Sequence, residues 1–138
     1  MSQIGAHVSA AGGLYNAPLN AAKEQLETFQ MFSRSPQSFK CPPFDDAAVE
    51  TFKQAVQRAG FTTYYIHAPY VLNLASAKHT LRYGSITMLK QELERGSRLG
   101  VQGVIFHTGS GAIDVAINSL NKIVEAYTGS CKLLLENT

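Results

Sequence analysis

Cysteine is scarce in this chain: Cys41 and Cys131 are its two, far apart and in no C-x-x-C arrangement. That spacing argues against a cysteine zinc finger or a dithiol redox centre, and free thiols in a reducing cytosol are expected. Charge is sparse as well. Charged residues make up 16% of the 138, with a net charge of +2, too mild to establish nucleic-acid binding and no obstacle to it. No apolar run approaches the roughly 20 residues that span a bilayer. The opening Met1-Ser2-Gln3-Ile4 lacks a basic stretch followed by an apolar one. No secretory signal or membrane association is therefore expected, and the protein is read as cytoplasmic. Low-complexity linkers and blocks of like charge are missing too, so residues 1–138 are read as belonging to one domain.

What is present is an alternation. Short runs rich in β-branched, aromatic or leucine residues predict strands over Ile4–Val8, Thr28–Phe32, Thr62–His67, Gly103–His107 and Lys132–Glu136. Val104-Ile105-Phe106 and Leu133-Leu134-Leu135 are continuous apolar runs, as strands buried on both faces require. Between the runs the period becomes helical. Val49, Phe52, Val56 and Ala59 share one face ahead of Gly60, and Ile86, Leu89, Leu93 and Leu99 repeat the pattern ahead of Gly100. Ile113, Ala116, Ile117, Leu120, Ile123, Val124 and Tyr127 give the clearest amphipathic helix. Asp45 or Asp46 is placed to cap the second helix, and Pro18 falls near the start of the first. Such a β-α-β-α order implies right-handed crossovers and a parallel sheet. Periodicity alone leaves two architectures, an open doubly wound sheet or a (β/α)8 barrel.

Polar residues recur at the C-terminal ends of the successive strands: His7, Ser33, His67, His107 and Glu136. In a parallel barrel those ends converge on the face where active sites lie. An open sheet gathers some of them at its carboxyl edge, but five in succession suit a closed rim better. His67, His107 and Glu136 combine two imidazoles and a carboxylate, donors that suit zinc with positions left open for water or substrate. Any one histidine alone is more readily a hydrogen-bonded rim residue. Three donors at equivalent strand ends favour a metal.

Five segments, in order along the whole chain, carry a resemblance. They are Ile4-Gly5-Ala6-His7-Val8-Ser9 with Ala10-Ala11-Gly12-Gly13; Phe29 to Phe39; His67-Ala68-Pro69-Tyr70-Val71-Leu72-Asn73-Leu74-Ala75-Ser76; Phe106-His107-Thr108-Gly109-Ser110; and Leu135-Glu136-Asn137-Thr138. Together they resemble the endonuclease IV family. The resemblance implies an α/β fold, a parallel (β/α)8 TIM barrel, here truncated after the fifth strand because such barrels typically need about 250 residues. It implies a trinuclear zinc site in which His67 and His107 bind one ion and Glu136, the catalytic carboxylate, bridges it to a second. The family's remaining ligands come from later strands. The implied reaction is hydrolysis of the phosphodiester 5′ to an abasic nucleotide in double-stranded DNA.

The same resemblance assigns further residues. Tyr70 and Val71 match the loop that enters the helix at the lesion, where the unstacked nucleotide is cheapest to extrude. Arg34 and Gln37 lie in the DNA-contacting loop after the second strand. Many members have Arg in place of Gln37 and Trp in place of Phe39; the neutral Gln37 loses a charge-assisted contact, and Arg34 is open to two readings, an electrostatic substitute or a solvated loop charge. By position rather than resemblance, His7 is expected to line the pocket as a hydrogen-bonder behind the metal ligands or to phosphate, and Asn73 and Asn137 to hold their loops by side-chain to backbone bonds, Asn137 beside the metal. A monomer is expected for the full-length protein, with self-association open to the half-barrel because its edge strands lack partners. Two alternatives stand beside this reading: a metal-dependent sugar isomerase or epimerase of the same barrel superfamily, and a non-catalytic fragment or interaction module.

Overall fold

The computed structural model describes residues 1–137; Thr138, which closes the fifth motif, lies outside the described residues. Five strands alternate with four helices: β1 (Gly5–His7), α1 (Asn16–Lys23), β2 (Thr28–Met31), α2 (Asp46–Ala59), β3 (Tyr64–His67), α3 (His79–Leu99), β4 (Gly103–Phe106), α4 (Ile113–Ala126) and β5 (Lys132–Leu135). All pairings are parallel, and the strands lie side by side in chain order. A doubly wound sheet reverses its strand order at a switch point. This one does not, so the architecture is the barrel's.

Local chemistry explains the boundaries. Asp45 caps α2, its carboxylate accepting from Ala48 N at 2.8 Å, which satisfies one of the amides that a helix start leaves unpaired. Gly60 and Gly100 end α2 and α3 in the left-handed conformation, with φ of 79° and 77°, a common helix stop. Pro18 falls in the first turn of α1, where its missing N–H costs nothing. Helix α3 begins at His79, a full two turns before the first apolar residue of its periodic face at Ile86.

Strand side chains alternate between two faces. Phe29, Met31, Ile66, Val104 and Phe106 are buried against the helices. Gln30, Tyr65 and Ile105 share the opposite, inner face and are only half-buried. Burial on both faces, expected for the apolar runs of β4 and β5, is therefore not found. In β4, Val104 and Phe106 are buried while Ile105 between them is not, and in β5 Leu135 is 59% exposed. Strand β5 is the sheet's edge, and no described element covers its outer side. Ile113, Ile117 and Val124 of α4 are exposed for the same reason. Among the described residues no helix is long and apolar enough to cross a membrane.

Candidate metal centre

The parallel register sets the C-terminal ends of β3, β4 and β5 side by side, and with them three donors. His67, the last residue of β3, is 7% exposed. Its Nδ1 lies 2.8 Å from the Ala68 carbonyl oxygen. A carbonyl only accepts, so Nδ1 carries a proton, and Nε2 is the ring atom left to meet a proton or a metal. That Nε2 faces the Glu136 Oε2 at 2.9 Å. His107 brings its own Nε2 to 3.6 Å from the same oxygen, while its buried Nδ1 has no hydrogen-bond partner. The three donor atoms lie within 4.8 Å of one another.

Two acceptors at hydrogen-bond distance repel unless a proton or a cation lies between them. Ligands at about 2.0–2.1 Å from a tetrahedral zinc stand roughly 3.3 Å apart, and the separations of 2.9 and 3.6 Å bracket that edge. The Ala68 carbonyl supplies the outer hydrogen bond that fixes a metal-binding histidine's tautomer and orientation. The donor set therefore fits a divalent cation that takes imidazole and carboxylate together, zinc among them.

Around the centre the structure arranges the other expected residues. His7 ends β1 with its ring tilted over Phe32 at 4.4 Å and edge-on to His67 at 6.3 Å. Partial desolvation, and secondarily the neighbouring His67 imidazole, lowers its pKa, which favours a neutral ring beside the metal donors. Phe32 also meets His67 edge-on at 5.6 Å and Tyr70 at 6.2 Å, so one phenyl ring spaces three site residues. Motif reading gave it no role; its inward position one residue beyond β2 was the available signal. A cleft of about 610 Å³ opens beside it, lined by His7, Ser9, Phe32, Ser33 and Pro36 among others. Tyr70 is 54% exposed at the rim, Val71 is half-buried, and Gln37 and Asn137 are exposed.

Arg34 departs from expectation. As a DNA contact it would need a free guanidinium, yet its side chain is fully buried and its Nε lies 2.7 Å from Glu92 Oε1. Its two terminal nitrogens donate to Gln91 Oε1 and to the Met88 carbonyl, each at 3.0 Å. Desolvating that guanidinium is worthwhile only because Glu92 neutralises it. No charge is left over to compensate for the neutral Gln37.

The loops after β3 and β4 are interlocked. Asn73 Nδ2 donates to the Ser110 carbonyl at 3.0 Å while Asn73 Oδ1 accepts from Ala75 N at 3.0 Å. Leu74 N donates to the Thr108 carbonyl at 2.8 Å. Asn73 thus holds not only its own loop, as expected, but also the one that follows His107. Removing its amide in Asn73→Ala should cost about 1–2 kcal/mol, read as a lower midpoint in urea unfolding. An unchanged midpoint would mean that the backbone bond from Leu74 suffices.

Comparison with known proteins follows the same lines. Residues 19–138 match the family described as the xylose isomerase-like TIM barrel. The chain is 37% identical over 147 residues to a probable endonuclease 4 of Campylobacter curvus, covering 100% of this chain and 52% of that protein. It is 35% identical over 143 residues to a probable endonuclease 4 of Symbiobacterium thermophilum, covering 99% and 51%. Among solved structures, endonuclease IV from Thermus thermophilus superposes with a TM-score of 0.89 at 31% identity, over 99% of this chain and 52% of that one. A D-tagatose 3-epimerase-like protein superposes with a TM-score of 0.73 at 19% identity, over 98% and 53%, a likeness of fold. The chain spans about half the length of the curated relatives it matches.

Proposed function

The chain belongs to the xylose isomerase-like TIM-barrel family, and from that premise we propose that it carries the first five strands and one zinc subsite of a DNA-repair endonuclease. The reaction proposed is hydrolysis of the phosphodiester 5′ to an abasic nucleotide in duplex DNA. The observation that carries this reading is the convergence of His67 Nε2, His107 Nε2 and a Glu136 oxygen at adjacent strand ends. The names of the relatives at 35–37% identity supply the nuclease class. The sugar-epimerase alternative has fold likeness at 19% identity behind it.

His67 and His107 would hold the zinc through Nε2, and Glu136 through one carboxylate oxygen. When bound, zinc supplies Lewis-acid activation of water and of the phosphodiester. The Ala68 carbonyl keeps the His67 lone pair aimed at the ion by engaging its Nδ1 proton. Glu136 is 48% exposed at its side chain, so its carboxylate would also be reachable by a second cation. Phe32 and His7 line the cleft on the side next to the donors. Exposed Tyr70 and half-buried Val71 form the projecting edge that would enter the gap left by a missing base, and Gln37 offers a neutral hydrogen-bonding group to the backbone.

Gel-shift titration of the zinc-loaded chain against two duplexes tests the reading. One duplex carries a single tetrahydrofuran abasic analogue and the other is intact. Preference for the abasic duplex by roughly tenfold is expected, since extruding an unstacked site avoids a few kcal/mol of unstacking. Equal or undetectable binding of both would count against the endonuclease reading. Nicking by the 138 residues alone should be negligible, because the described residues bring three donors to the site. Robust, chelator-sensitive nicking would show that three are enough.

A further inference from the structure

The loop between β2 and α2, residues 32–45, has no regular structure of its own, yet it is laid along α3 and gripped at both ends. At its start, Ser33 Oγ donates to Glu92 Oε2 at 2.8 Å and accepts from Arg95 Nε at 2.9 Å. A terminal nitrogen of Arg95 also donates to the Ser33 carbonyl. At its end, the other terminal nitrogen of Arg95 donates to the Pro42 carbonyl at 2.8 Å. The same guanidinium lies over the Phe44 ring at 4.2 Å. One arginine therefore ties both stems of the loop. Glu92 is fully buried between Arg34 and Arg95, 2.7 Å from the first and 3.9 Å from the second. In the middle, the half-exposed Phe39 ring lies over Gly84 of α3, 3.5 Å from where a Cβ would stand.

A buried carboxylate between two buried guanidinium groups is an expensive way to stabilise a fold, because three charges leave water and apolar residues of similar size often do as well. Burial holds the Glu92 carboxyl above its usual range, with Arg34, Ser33 and Arg95 pulling the other way. What the cluster supplies that apolar packing does not is direction: planar, multi-pronged bonds between named atoms of the loop and of α3. We propose that the Arg34–Glu92–Arg95 cluster is an anchor that fixes the β2–α2 loop beside the metal centre, with Glu92 and Arg95 as positioning residues for nucleic-acid contact by Gln37 and Phe39. The contact rests on the endonuclease reading. The anchoring rests on the geometry alone.

The chain contains no tryptophan, so Phe39→Trp gives a single fluorescent reporter on the loop. Glu92→Gln and Arg95→Lys are then made in that background in the whole 138-residue, zinc-loaded chain. Glu92→Gln keeps the shape and removes the charge; Arg95→Lys keeps the charge and removes the fork. Both should lower the tryptophan anisotropy and shift its emission to the red at temperatures where circular dichroism reports an intact fold. Both should weaken binding to the abasic duplex by about tenfold, the scale expected when a contact loop is no longer preorganised. Unchanged anisotropy in a folded variant overturns the anchor, as does a loss that appears only in step with global unfolding or failure of both variants to fold. Anisotropy that falls while affinity holds overturns the positioning role. Absence of DNA binding by the Phe39→Trp parent and the unsubstituted chain alike would count against the endonuclease reading and leave the anchor to be judged on fluorescence.

Discussion

Replacing His67 by Ala, or Glu136 by Gln, is expected to lower zinc affinity by at least about 100-fold, beyond the 10–100-fold that loss of an outer hydrogen-bonding partner typically costs. The reason is the shared oxygen. Both imidazole Nε2 atoms face Glu136 Oε2, at 2.9 and 3.6 Å, so one substitution removes the ligand around which the other two are arranged. Glu136→Gln keeps the size and deletes the negative charge, which isolates the electrostatic part of the effect. Competition against a chromophoric chelator reads the affinity directly. Thermal melting provides an independent check: saturating the unsubstituted chain at 100 times its Kd should add about 2.7 kcal/mol, an increment both variants should lose. The half-exposed position of Glu136 predicts little change in metal-free melting for Glu136→Gln. Equal zinc affinity in all three proteins would remove the metal centre from the account.

The donors were legible because a strand has a period of two and a parallel sheet aligns its ends. His67, His107 and Glu136 each stand at the carboxyl end of a short apolar run, and the observed pairing of His67 with Ile105 and of Ile105 with Leu134 puts these three strands in step. The choice between barrel and open sheet was not legible from periodicity, since both architectures use the same β-α alternation. It required strand order, which is a property of long-range pairing, or the resemblance carried by the five segments.

Arg34 shows where one-dimensional reading stops. Flanked by Ser33 and Ser35 in a polar loop, it looks like a solvent-facing or phosphate-facing charge. Its partner Glu92 lies 58 residues later on a helix, and a lone glutamate within an amphipathic pattern carries no mark of burial. The pair becomes visible only when α3 is laid across the β2–α2 loop. The early start of α3 was hidden for a related reason. His79 to Ser85 is mostly polar or aromatic, the residue before it is Lys78 rather than Ser, Thr, Asp or Asn, and no side chain caps the helix. Neither of the usual signals of a helix start is present.

The second large effect is expected at Gly111, where substitution should be among the most destabilising single changes in the chain. An added Cβ there would stand 2.0 Å from the Ala75 carbonyl oxygen, and backbone cannot swing aside as a flexible side chain can. Gly111 also has φ of +153°, a conformation that costs an L-residue of order 1–3 kcal/mol before any contact is counted. Gly111→Ala should therefore cost about 3 kcal/mol or more, seen as a fall in melting temperature of roughly 10 °C for a chain of this size. Gly60→Ala is the control. Its φ is +79°, but nothing lies within 4 Å of the added Cβ, so it should lose only about 1 kcal/mol. The excess at Gly111 measures how tightly the loop after His107 is pressed against the Tyr70-bearing loop. Zinc affinity should fall with it, because the displaced loop follows directly on a metal donor. Equal melting for the two alanine variants would mean that the loops yield freely, and the interlock through Asn73 would then be no constraint on the site.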